Sequence, residues 1–132
     1  VNKRQKREAI ERYLQKWQRI LCLEDWQGQI KYEKTQPPDR PDLAMHVTRE
    51  APYHWASFGV LPHTFELHPD TVDQNCLHEW LHVIAAPLED EICELFGFDS
   101  EVRRRLMHRL EETIDRMAVA LWKSVEKVDA ED

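Results

Sequence analysis

The stretch Pro69-DTVDQNCLHEWLHVIAA-Pro87 decides how the rest of the chain is read. Val72, Cys76, Leu77, Trp80, Leu81 and Ile84 recur at helical spacing, so one side of this segment must be buried. Asp70 or Thr71 is placed to cap the helix, and Pro87 is expected to end it. Within it, His78-Glu79-Trp80-Leu81-His82 is an HExxH motif. The spacing puts His78 and His82 one turn apart on the same face. Two neutral imidazoles so placed can hold one Zn²⁺, and Glu79 lies beside the ion where it can take a proton from water. With seven histidines and fifteen glutamates in 132 residues, chance yields the pattern in about 4% of such chains. The helical context therefore matters as much as the pattern.

Upstream, Ile10, Tyr13, Leu14, Trp17, Ile20 and Leu21 form one apolar stripe, predicting a basic amphipathic helix over residues 3–22. Alternating residues predict strands at 29–34, 43–49, 55–61 and 63–68. Residues 35–42 contain Pro37, Pro38 and Pro41 and are expected to be a loop. Downstream, a short helix over 88–96 should stop at Gly97. Ser100 then caps a long helix to about residue 126, with the stripe Leu106, Leu110, Thr113, Ile114, Met117 and Leu121. An acidic, frayed tail over 127–132 is expected to follow. Helix, three or four short strands in a small antiparallel or mixed sheet, then helices is an α+β order for a single domain over 1–132.

Composition narrows the function classes. The chain is 42% hydrophobic and 33% charged, with three scattered cysteines and no CxxC. That suits reduced thiols in the cytoplasm. No stretch approaches the ~20 apolar residues of a membrane span, and no basic-then-apolar leader opens the chain. Residues 51–101 hold no Lys or Arg but ten Asp and Glu. Nucleic acid is disfavoured there, and a cation or a basic peptide is the more natural partner.

A third metal ligand must come from beyond the motif. Ala85 and Leu88 stand where HExxHxxGxxH requires Gly and His, which excludes the metzincin type. Glu89, Glu91, Glu94, His108, Glu111 and Glu112 are the candidates. On the last helix Glu111 lies about 100° from the centre of the apolar stripe, whereas Glu112 and His108 lie about 160° away. Glu111 can reach inward from the edge of the core, and Asp115, one turn on, could orient a ligating histidine. His54 and His68 are possible oxyanion donors.

His78-Glu79-Trp80-Leu81-His82 followed by Glu111-Glu112-Thr113-Ile114-Asp115 resembles the zincin metallopeptidases of the gluzincin type, above all small phage- or prophage-encoded zincin-like proteins. Trp26, the strand-like segments and Arg116-Met117-Ala118 fit the same pattern. The resemblance implies Zn²⁺ bound by His78, His82 and a glutamate, with Glu79 as general base and a protein or peptide as substrate. It departs from many such enzymes in leaving no residues for a second subdomain that would stabilise the oxyanion. The alternative expectation is a non-catalytic zincin-like module that keeps a metal and binds a partner.

Overall fold

A computed structural model describes residues 1–97 and 100–131, the last five through their backbone alone. Its elements, in chain order, are α1 (Lys3–Ile20), β1 (Gln27–Tyr32), β2 (Met45–Glu50), a 3₁₀ turn (Ala51–Tyr53), β3 (Trp55–Val60), a second 3₁₀ turn (Pro62–Glu66), α2 (Pro69–Phe96) and α3 (Glu101–Glu131). This is the α+β order expected, with three strands in a mixed sheet. No helix among the described residues is long and apolar enough to cross a membrane.

β3 lies at the centre of the sheet, parallel to β1 and antiparallel to β2. The register aligns Ile30, Phe58 and Val47 across the three strands, and likewise Tyr32, Val60 and Met45. These residues join the apolar core, where Phe58 meets the Trp80 ring of α2 at a centroid distance of 4.7 Å. On the next register line Gly59 faces His46, whose Nε2 lies 2.2 Å from where a Cβ would be. A side chain at 59 would displace that imidazole.

α2 packs against α1, α3 and β2. It is therefore buried on more than one side, and Val72, Cys76, Leu77, Trp80, Leu81, Val83, Ala86 and Ile92 all lie inside. α1 contributes Ile10, Leu14 and Trp17, and Trp80 Nε1 donates to the Leu14 carbonyl at 2.9 Å. Asn2 and Gln5 form a capping box at the start of α1. Much of the basic face of α1 is spent within the protein. Lys6 Nζ donates to the Phe65 carbonyl, Lys3 lies over the Phe65 ring, Arg7 over the Tyr32 ring, and Lys16 pairs with Asp73.

Four expectations need correction. Pro87 does not end the motif helix, and no separate helix covers 88–96; both belong to α2. A mid-helix proline costs ~3 kcal/mol or more. Burial of the apolar Ala86 and Ile92 on either side of it works against that cost. Residues 63–68 are not a strand: Pro62 opens a 3₁₀ turn, and buried Thr64 donates from Oγ1 to the Ala44 carbonyl at 2.6 Å. The cap of α2 is neither Asp70 nor Thr71. The His68 side chain accepts from Asp70 N at 3.1 Å, with Pro69 as first helical residue. α3 continues to Glu131, through most of the tail read as frayed. The side chains of that acidic tail lie outside the described residues.

Asp73 is the polar knot of this core. The residue is 4% exposed, and its carboxylate accepts from Lys16 Nζ at 2.7 Å, Trp17 Nε1 at 2.7 Å and Trp122 Nε1 at 3.0 Å. One side chain thus joins all three helices. Asp73→Ala strands two indole donors and is expected to lower stability by about 3 kcal/mol in urea denaturation. Trp122→Phe removes one bond and should cost about 1 kcal/mol.

Candidate metal centre

Helical spacing alone brings His78 and His82 together, and the two Nε2 atoms lie 3.1 Å apart. α3 crosses opposite them and supplies Glu111. Its Oε1 is 3.0 Å from His78 Nε2 and its Oε2 is 2.9 Å from His82 Nε2. Behind the rings stand two further carboxylates. Asp115 Oδ1 is 2.9 Å from His78 Nδ1, and Glu89 Oε1 is 2.8 Å from His82 Nδ1. Asp115 therefore stands where an orienting carboxylate was expected. Glu89, considered above only as a ligand, faces the opposite nitrogen of His82.

These contacts set the protonation pattern. A neutral imidazole whose Nδ1–H donates to a carboxylate presents a bare lone pair at Nε2. Two such lone pairs and the Glu111 oxygens then converge with no donor between them. Acceptors at about 3 Å repel unless positive charge lies among them. The atoms fit a small cation. A tetrahedral ion with bonds of ~2.1 Å holds its ligands roughly 3.4 Å apart, so the three need only separate by a few tenths of an ångström. His78, His82 and Glu111 are the one group of three or more such side chains, among the described residues, that could hold a metal ion.

The local field favours the same charge. Glu79, Glu89, Glu111 and Asp115 surround the two imidazoles, and Arg49 alone among the cleft's cations pairs with one of them, Glu89. Burial works to lower the His82 pKa. The Glu89 hydrogen bond and the charges of Glu111, Glu79 and Glu89 outweigh it, and the shift is upward. Added positive charge is therefore favoured at the cluster, and a cation would supply it. Glu79 is 8% exposed, and its pKa is pushed up to about 8, first by burial and then by Glu111 and Glu89, with His82 opposing. Among the described residues no group donates a hydrogen bond to its carboxyl, which leaves both oxygens for solvent or ligand.

The cluster lies in an open cleft of about 700 Å³. α2 lines it with Thr71, Asn75, His78, Glu79 and His82, and β2 with Met45, His46, Val47 and Arg49. The opposite edge of β2 pairs with no strand among the described residues. Glu112 and His108 pair with each other at 2.8 Å on the solvent side of α3, and Glu91 and Glu94 are exposed. His54 and His68 do not line the cleft. His54 pairs with Asp25 and stacks on Trp26, and His68 caps α2. The imidazoles that do line it, besides the pair, are His46 and His63.

No family model matches the chain, no curated protein matches it, and no solved structure matches its fold.

Side-chain removal should discriminate among these carboxylates. Dialysed protein is expected to hold about one Zn²⁺ per chain by elemental analysis, and His82→Ala to lose it. Glu111→Ala should weaken zinc binding more than about 100-fold, beyond the cost of losing an outer-shell partner. Glu112→Ala should bind zinc like the wild type.

Proposed function

We propose that the protein is a zinc-dependent peptidase of the gluzincin type, with His78, His82 and Glu111 as ligands and Glu79 as general base. The observation that carries this reading is the convergence of His78 Nε2, His82 Nε2 and the Glu111 carboxylate beside the buried carboxyl of Glu79 in an open cleft. Two imidazoles and one carboxylate are a donor set of catalytic zinc. The count also favours catalysis over a purely structural metal. Structural zinc sites are closed by four protein ligands, whereas three leave a position open. The histidines are 19% exposed and Glu111 46% exposed, so solvent and substrate have access.

When bound, Zn²⁺ supplies Lewis acidity, polarising a carbonyl and bringing the pKa of water towards ~7. The chain's own residues do the rest. A peptide strand lies along the free edge of β2, held by main-chain pairing that makes little demand on its sequence. Glu79 takes the proton of the attacking water and passes it to the leaving amine. A cation beside Glu79 lowers its pKa from the raised value, so the carboxylate form is the one that meets substrate. Asp115 and Glu89 hold the two rings in the tautomer that turns Nε2 towards the ion. The three free cysteines suit a reducing compartment, and the reading places the protein in the cytoplasm.

Glu79→Gln separates the chemistry from the metal. The variant is expected to bind zinc as the wild type does and to lose cleavage of a fluorescently labelled unfolded protein by 10²-fold or more. Full activity in Glu79→Gln would show that another group moves the proton.

A further inference from the structure

We propose that Arg49 is a positioning residue of the metal centre: it reaches across from β2 and locks the Glu89 carboxylate against His82, so that metal affinity depends on the edge strand. The inference rests on the reading of His78, His82 and Glu111 as metal ligands.

Glu89 lies seven residues beyond His82. That spacing puts both on one face of α2, but about 10 Å apart along the axis. The two side chains must lean towards each other to meet, so the carboxylate needs a second anchor. Arg49 provides it: Nη2 contacts Glu89 Oε2, while Glu89 Oε1 faces His82 Nδ1 at 2.8 Å. The Glu89 side chain is 5% exposed, and no other Lys or Arg lies within ion-pair distance of it among the described residues. A second contact, to Asp90 Oδ1 at 3.5 Å, involves a side chain that is 64% exposed and adds little.

The guanidinium is not placed for its own satisfaction. Its buried Nε has no hydrogen-bond partner among the described residues. Arg49 forgoes that bond in the pose that serves Glu89. The other histidine has no such support. Asp115 holds His78 from a side chain that is 60% exposed, with no Lys or Arg within ion-pair distance among the described residues. His82 is thus the ring whose carboxylate partner is fixed from outside the helix pair. A carboxylate that fixes a ligating imidazole affects metal affinity by 10- to 100-fold, and a residue that fixes the carboxylate inherits part of that effect.

The test is zinc affinity by competition with a chromophoric chelator, together with melting of the metal-free protein. Arg49→Met is expected to weaken zinc binding about 5- to 50-fold, part of the effect of losing the carboxylate itself. Arg49→Lys should recover part of the loss, since an ammonium can pair with Glu89 as a point charge. In a Glu89→Gln background, adding Arg49→Met should change affinity less than threefold, because the route through Glu89 is already cut. Wild-type affinity in Arg49→Met overturns the inference, as does an undiminished effect of Arg49→Met in the Glu89→Gln background. If Arg49→Met fails to fold, Glu89→Gln and Arg49→Lys decide. Both must weaken zinc binding with the metal-free melting temperature held, and wild-type affinity in either overturns it. Wild-type protein that binds no zinc removes the metal reading and this inference together. Zinc-binding wild type with an equally good Arg49→Met removes the inference alone.

Discussion

A single buried carboxylate sets the relation between the helices. Asp73 accepts from Lys16 and Trp17 on α1 and from Trp122 on α3. A charge this deep is tolerated only when its lone pairs are met, so each donor must arrive at its place for the core to close. The α3 donor has a further effect. Glu111, Asp115, Ala118 and Trp122 recur at helical spacing on one side of α3. Fixing Trp122 at Asp73 fixes the rotation of α3, and with it the direction of Glu111. The contacts Asp73 to Trp122, His78 to Asp115 and His82 to Glu111 run in opposite directions along the two helices, as an antiparallel pair requires. A one-residue turn of α3 would swing Glu111 by about 100° and open the cluster.

The candidate site is where the fold leaves its chemistry unsatisfied. Elsewhere buried polar groups find partners: Thr64 a carbonyl, Trp80 a carbonyl, Asp73 three donors. Within the cleft the pattern inverts, and acceptors gather around acceptors. Each Nδ1 is committed to a carboxylate, which turns both Nε2 lone pairs towards Glu111. Four carboxylates around two imidazoles make an arrangement that positive charge relieves. Beside it Glu79 is pushed towards neutrality by burial. The same low-dielectric surroundings would strengthen its response to a nearby cation.

β2 bears on both sides of this arrangement. It pairs with β3 along one edge, lines the cleft with Met45, His46, Val47 and Arg49, and carries Arg49 to Glu89. Local preference yields to tertiary packing in two places along the path to the site. Pro87 stays within α2, whose second half carries Glu89 back to His82. Residues 62–66 wind into a 3₁₀ turn because Thr64 bonds the residue just before β2, which places His63 on the cleft wall.

Periodicity along a short stretch of chain was enough for several features. The order of helices and strands, the shared face of His78 and His82, and the inward lean of Glu111 over Glu112 all follow from 3.6 residues per turn and an apolar stripe that must be covered. These are local consequences, and the sequence alone determined them. It could not show which strand takes the centre of the sheet, or that β1 runs parallel to β3, because pairing depends on loop paths between distant segments. The turn at 62–66 read as a strand because its alternation was real, while the bond that bends it comes from Ala44, twenty residues away. The unbroken α2, the Asp73 knot and the Arg49–Glu89–His82 chain join residues 40 or more positions apart, or rest on burial that such joins create. No window of sequence contains them. Their energies arise only once burial has removed water from groups that the folded chain brings together.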